Sequence, residues 1–373
     1  MKIAVIGGSA IGFAAAGHMA LRGEEVRLYE FPQFRAAIED LEKDPMLEVV
    51  SVCAETGLPE GGARLAYAGT DARKALEGAD LILVAVPAYG EGAAAEVCAP
   101  WVRQGQHILL LSGYIYGSVE FAQRLRRAGC EADVTVTEMN NSIYAARKTG
   151  GRGVRIGCYK HGVGIASFPG KNSAEAFAVV SKLYPEVENW HSILATGVSN
   201  PSLGVHVTSV VFNPRYVEEG AQVFMYENGR YLSAMGDSVA RVNLDMDAER
   251  LALDGKVGRL IPWRYVIRGW YAYLGVHGET LPEIMSSNPG LAGGCLPTSF
   301  DHRFLTEDVC MGLWPLVELL ELYGLPCGVC RGVAVLASSL SGLDLEGRAR
   351  TLKSLGLGGK NAREVEKFLY EGL

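Results

Sequence analysis

The sequence predicts an α/β, Rossmann-type doubly wound N-terminal domain followed by a mostly α-helical C-terminal domain. Three observations carry this expectation. The chain opens on a nearly all-apolar stretch, residues 2–6, that runs straight into the glycine turn Gly7-Gly-Ser-Ala-Ile-Gly12. Strand-like and helix-like stretches then alternate to about residue 190, the pattern of a parallel sheet with crossover helices. Beyond that point apolar residues recur at intervals of three and four, the period of amphipathic helices. The 373 residues are enough for two hydrophobic cores. We divide them into a nucleotide-binding domain, 1–190, and a helical domain, 191–373.

The first 31 residues organise the rest. Residues 2–6 have the unbroken apolar character of a strand buried on both faces. After the glycine turn, residues 10–21 read as a helix of small side chains that stops at Arg22-Gly23. A second strand, 24–30, ends on a carboxylate. This is the dinucleotide fingerprint in its full context. Gly7 permits the tight turn and Gly12 permits close helix–strand packing. Gly8, Ser9, Ala10 and Ile11 present N–H groups and the positive helix end to a pyrophosphate. Glu30, 18 residues beyond Gly12, is placed to accept from the adenosine ribose. Its charge repels a 2′-phosphate, so NAD is the expected cofactor and NADP the less favoured one. Ser9 stands where the middle glycine is usual, and its hydroxyl is expected to donate to phosphate.

The remaining elements follow in order. A helix is expected over 34–43, a strand over 63–67, and a short helix over 70–76 capped by Thr70 or Asp71. The apolar run 80–88 is another buried strand, and Val86 and Pro87 at its end lie where parallel-sheet loops line a cofactor crevice. A helix at 92–102, a strand at 107–111, a flexible loop at 112–117 and a strand at 134–138 continue the alternation. Residues 154–168 read as a hairpin turning at Lys160-His161-Gly162 that extends or closes the sheet. A helix at 174–183 and a strand at 187–194 complete this half. The better helical stretches beyond are 224–254, 261–274, 308–323, 330–340 and 362–369. Leu313, Leu316, Leu319, Leu320 and Tyr323 form a core-facing stripe. The aromatic-rich segment 263–273 reads as core or subunit interface.

Composition narrows the partners. Hydrophobic residues at 49%, charged residues at 21% and a net charge of −7 describe an ordinary globular chain. There is no long basic cluster to hold nucleic acid or a membrane surface, and no apolar run of about 18 residues or more. With a buried strand at the very start, the expectation is a cytoplasmic protein without a leader. The eight cysteines are scattered, and Cys327-Gly-Val-Cys330 lacks the second pair that a metal site needs. No metal is expected, and nothing in the sequence decides for or against a homo-oligomer.

A nicotinamide enzyme needs a proton donor or base beside the carbon that receives hydride, and histidine is the usual choice. Of the seven, His18, His107 and His161 have structural roles available in a helix, a strand and a turn. His206, in Asn200-Pro-Ser-Leu-Gly-Val-His-Val207, opens the helical half. On local sequence alone it reads first as a core histidine between valines. In the stretch 300–308, Asp308 or Thr306 reads as a helix cap and Arg303 as a surface ion pair.

Taken together, the fingerprint, the Val86-Pro87 strand end and the segments 138–147, 200–206, 303–312 and 338–357 resemble the opine dehydrogenase family. The likeness spans nearly the whole chain. Members join the amino group of an amino acid to a 2-oxo acid and reduce the imine with NAD(P)H. The resemblance implies that His206 is the catalytic histidine, Asp308 its orienting carboxylate and Arg303 a contact to the cofactor pyrophosphate. Asn200 matches a family asparagine, and Glu138 and Arg147 become candidates for substrate. The family often has proline after the histidine, where this chain has Val207. Two other readings compete. One is an NAD-dependent 2-hydroxy-acid or polyol-phosphate dehydrogenase of the same plan, with Lys256 as its catalytic lysine. The other is a protein that senses NAD(H) without turning it over.

Overall fold

The computed structural model describes residues 1–52, 57–223, 234–291 and 294–373. The chain divides into two compact units, one of Met1–Gly113, Gly117–Ile193 and Phe368–Leu373, the other of Tyr114–Tyr116 and Leu194–Lys367.

In the first unit, strand β1 (Lys2–Ile6) leads into helix α1 (Ala10–Leu21) and strand β2 (Glu25–Tyr29). Helix α2 (Glu39–Lys43) and strands β3 (Met46–Ser51), β4 (Gly61–Arg64) and β5 (Tyr67–Gly69) follow. Next come α3 (Ala72–Leu76), β6 (Leu81–Val84), α4 (Glu91–Cys98), β7 (His107–Leu110), α5 (Gly117–Arg127) and β8 (Thr135–Met139). Strands β9 (Tyr144–Lys148), β10 (Gly153–Tyr159) and β11 (Val163–Phe168), helix α6 (Ser173–Leu183) and strand β12 (Val187–Asn189) finish the unit's main run.

The strands form two sheets. The larger has the order β12-β11-β8-β7-β6-β1-β2-β5, parallel from β8 through β5, with β11 antiparallel to β8. Its order reverses between β1 and β6, so the loops after those two strands meet at the topological switch point where doubly wound sheets hold ligands. The smaller sheet has the order β4-β3-β10-β9. Gly17 of α1 lies against it, since a Cβ there would stand 2.4 Å from a methyl of Val49. Gly12 through Met19 are all buried as a consequence.

The second sheet corrects two expectations. Segment 63–67 is not one strand but the end of β4 and the start of β5, which belong to different sheets. The supposed hairpin at 154–168 is likewise a corner between sheets, with β10 in the smaller and β11 in the larger. All six residues of β11 are buried, as a strand inside the main sheet requires, whereas β10 alternates. At the corner the Lys160 ammonium is tied down, donating to Asn141 Oδ1 and the Ser142 carbonyl at 2.5 and 2.6 Å.

The second unit is helical. It contains α7 (Ile193–Val198), α8 (Ser202–Val211), α9 (Pro214–Glu218), α10 (Asp237–Leu251), α11 (Trp263–Trp270), α12 (Leu281–Ser286) and α13 (Arg303–Thr306). A π-helical turn, Asp308–Leu313, then runs into α14 (Trp314–Leu322), followed by α15 (Gly328–Ser341) and the first part of α16 (Ala362–Glu371), whose residues from Phe368 on count with the first unit. Of the expected helix 224–254, residues 224–233 lie outside the described set, as does Cys53. The aromatic segment is core: Trp263 is fully buried, and Trp270 and Tyr271 nearly so. The Trp263 indole N–H donates to the Val198 carbonyl, and a Cβ on Gly204 would stand 2.6 Å from its ring. Trp263 thereby supports α8, the helix that carries His206. No helix among the described residues is long and apolar enough to cross a membrane.

Candidate active site

The glycine turn in the first unit is a cradle that only small residues can form. A Cβ on Gly12 would stand 1.8 Å from the Gly7 carbonyl, and one on Gly8 would stand 2.5 Å from Ile38. Gly7 has φ +107°, a left-handed value that favours glycine. It also lies under the end of β6, where a Cβ would meet the Ala85 carbonyl at 2.9 Å and Val86 at 3.1 Å. The Val86-Pro87 strand end therefore borders the glycine turn, as expected. Helix α1 has no acid in its first turn. Its first N–H groups have no earlier turn to bond, which leaves Ala10 and Ile11 able to bind an anion. These residues fit a dinucleotide pyrophosphate.

Ser9 departs from its expected part. Its hydroxyl donates to the Ala85 carbonyl at 2.9 Å and accepts from the Gly12 N–H at 3.2 Å. A hydroxyl has one hydrogen, so Ser9 is the helix cap and a tie to β6, not a phosphate donor. Glu30 is nearly buried and accepts from the Gly8 and Phe31 N–H groups, each at 2.7 Å. Burial raises its carboxyl above the usual range, opposed by those two N–H groups and by Lys148. Lys148, which no sequence motif marks, faces the same turn. It reaches from β9 to donate to the Gly8 carbonyl at 3.3 Å and the Ala37 carbonyl at 2.5 Å, over the ring of Phe13.

In the second unit His206 and Asp308 come together although 102 residues separate them. Nδ1 of His206 lies 2.9 Å from Oδ2 of Asp308, which is fully buried. An ionised carboxylate can only accept, so the imidazole hydrogen sits on Nδ1 and Nε2 is left for proton exchange. The other oxygen, Oδ1, accepts from the Tyr114 hydroxyl at 2.6 Å. Burial first, and the Asp308 charge second, push the Tyr114 phenol well up, so it remains a donor. Phe304 stacks on the imidazole, with centroids 3.9 Å apart and planes at 15°. His302 meets Phe304 edge-on, and its Nδ1 accepts from the Phe304 N–H as the cap of α13. Burial, then the neighbouring Arg303 and His206, lower the pKa of His302. Arg303 is exposed and pairs with Glu307 at 3.3 Å.

Asn200 is buried and its Oδ1 accepts from the Ser202 N–H, shaping the turn that starts α8. Glu138 is fully buried in β8 and accepts from the Ser118 N–H at the start of α5. A carboxylate at that helix end has a structural task. Arg147 stands exposed on β9, directly opposite Arg155 in the smaller sheet. Lys256 is exposed in the turn after α10. Cys330 is buried at the start of α15, with its thiol pushed well up by burial. Among the described residues no group of three or more His, Cys, Asp or Glu is arranged to hold a metal.

The profile of the "NAD/NADP octopine/nopaline dehydrogenase, alpha-helical domain" family matches residues 189–341. An opine dehydrogenase of Arthrobacter sp. (strain 1C) is 28% identical over 363 residues, 97% of each chain. The helical half is similar to that family's domain, and nearly the whole chain is similar to an opine dehydrogenase. The chain is an NAD(P)-dependent oxidoreductase. The protein ocs of Agrobacterium vitis is 25% identical over 99% of both chains. Among solved structures, octopine dehydrogenase with NADH and L-arginine aligns with a TM-score of 0.75 at 17% identity, covering 100% of this chain and 98% of that one. Yersinopine dehydrogenase bound to NADP+ aligns at 0.66 and 14%, covering 99% and 97%. At such identities the structural likeness speaks for the fold, a Rossmann-type domain with a helical one.

Proposed function

We propose that this opine-type dehydrogenase joins an amino acid to a 2-oxo acid and reduces the product with NADH, giving an N-(carboxyalkyl)amino acid. The observation that carries the reading is the buried Asp308 holding Nδ1 of His206 at 2.9 Å. That arrangement fixes one tautomer and stabilises the imidazolium, as the acid of a hydrolase triad does. Nε2 takes a proton from the attacking ammonium group. It then returns a proton to the carbinolamine oxygen, which leaves as water when the C=N bond forms. Bound NADH supplies the hydride that completes the C–H bond. The glycine turn Gly7–Gly12 holds the pyrophosphate, and Glu30 faces the ribose and disfavours a 2′-phosphate. Arg303, exposed beside the pair, is assigned to the pyrophosphate, and Asn200 to the substrate side through the turn it shapes. The free cysteines among the described residues, mostly buried, suit a reducing compartment, so we place the protein in the cytoplasm.

The test is NADH oxidation with pyruvate or glyoxylate crossed against a panel of amino acids. Turnover that requires both partners supports the reading. Turnover with the oxo acid alone sinks it.

A further inference from the structure

Residues 112–117 look like an ordinary loop after a sheet strand, yet Tyr114, Ile115 and Tyr116 are buried within the helical unit. The way they are held is specific. Tyr114 and Tyr116 have φ of 54° and 65°, left-handed values that side chains other than glycine adopt at a cost. The π-helical turn 308–313 supplies the fixing groups. In an α-helix the Met311 carbonyl would accept from residue 315, but Pro315 has no N–H. The Ile115 N–H takes that carbonyl at 3.2 Å. Arg350, itself buried, donates through its guanidinium to the Ile115 carbonyl at 3.1 Å, and its backbone N–H bonds Cys310 of the same turn. Two glycines make the room. A Cβ on Gly197 would stand 2.6 Å from the Tyr114 carbonyl, and one on Gly312 would stand 3.3 Å from the Tyr114 ring. All this delivers one hydroxyl to one oxygen, Oδ1 of Asp308.

We propose that Tyr114 is a positioning residue of the reaction, whose hydroxyl locks Asp308 and thereby sets the orientation and proton affinity of His206. The claim rests on His206 being the group that exchanges the proton. Physically, a donor on Oδ1 draws charge away from the carboxylate and weakens its hold on the imidazolium. It also prevents the carboxylate from rotating, so that Oδ2 stays on Nδ1. Without the donor, Asp308 is a buried carboxylate with one partner fewer, and the proton on His206 is held more tightly.

The experiment replaces the hydroxyl in both directions and follows the two-substrate reaction against pH. In Tyr114→Phe, the limb of the kcat/KM profile that reports the essential histidine moves to higher pH by roughly half a unit to one unit. The KM for NADH stays as it was. With 3-fluorotyrosine at position 114, a stronger donor of the same shape, the limb moves to lower pH, and the single fluorine resonance titrates together with the imidazole of His206. A folded Tyr114→Phe protein whose limb stays in place overturns the proposal. If that variant does not fold, the fluorinated protein decides, and a fluorine signal that is flat across the imidazole titration overturns it. Loss of the parent reading looks different: His206→Ala would keep two-substrate turnover, while the fluorine signal of the 3-fluorotyrosine protein with His206 in place would still follow the imidazole.

Discussion

The imidazole of His206 lies nearly flat on the ring of Phe304, with centroids 3.9 Å apart. An aromatic face carries partial negative charge and favours a cation above it by about 0.5–1 kcal/mol at a partly exposed site. His206 is such a site, with 22% of its side chain exposed. Phe304→Leu keeps apolar bulk and removes the face. The histidine limb of the rate profile is expected to move to lower pH by about half a unit, opposite in sign to the effect of Tyr114→Phe. A limb that moves upward would mean Phe304 acts by screening the pair from water instead.

Removing the orienting carboxylate tests the pair itself. Asp308→Asn keeps the shape of the side chain but lets its amide donate to Nδ1, which selects the wrong tautomer. A loss in kcat on the order of 10²–10⁴-fold is expected, with NADH affinity by fluorescence titration unchanged. A variant that loses cofactor affinity along with turnover would show that Asp308 matters for folding of the site, not for proton exchange.

Glu30 is the test of cofactor choice. Glu30→Gln preserves an acceptor for the Gly8 N–H, now 2.7 Å from the carboxylate, and removes the charge that opposes a 2′-phosphate. The preference for NADH over NADPH should narrow by about tenfold, equivalent to about 1.4 kcal/mol. Binding titrations with both cofactors read this directly. An unchanged ratio would place discrimination elsewhere around the ribose.

What the sequence revealed followed from local chemistry. The fingerprint was legible because strand, glycine turn, helix and acid are consecutive, and each fixes the next. His206 and Asp308 were weaker in isolation, since both residues have ordinary structural roles in a helix, and only the family likeness joined them. Tyr114 and Phe304 were missed for a different reason. Tyr114 sits in a glycine-flanked loop that reads as flexible, and its burial depends on carbonyls left open by Pro315 and the π turn, some 200 residues away. Phe304 carries no signal apart from its place between His302 and Asp308. The second sheet was missed because β4 and β5 run together as one apolar stretch, and nothing local says that they part at Leu65-Ala66.

His18 makes the first unit sensitive to acid. It is buried in a cage of Tyr144, Tyr159 and Tyr184, with Nδ1 2.9 Å from the Tyr144 hydroxyl. That hydroxyl gives its own hydrogen to Tyr184, so it accepts from the imidazole N–H. Burial, with a smaller contribution from Arg22, lowers the pKa of His18 from 6.5 to about 4. Between those values the unfolded chain binds a proton that the folded chain does not. The stabilisation is therefore complete above about pH 6.5 and is lost as the pH falls towards about 4, by up to about 3 kcal/mol. His18→Gln keeps a donor for Tyr144 and cannot titrate. Melting midpoints taken from pH 7 to pH 4.5 should fall less steeply for this variant than for the parent. Parallel curves would assign the acid sensitivity to other groups and leave His18 as an apolar filler of the tyrosine cage.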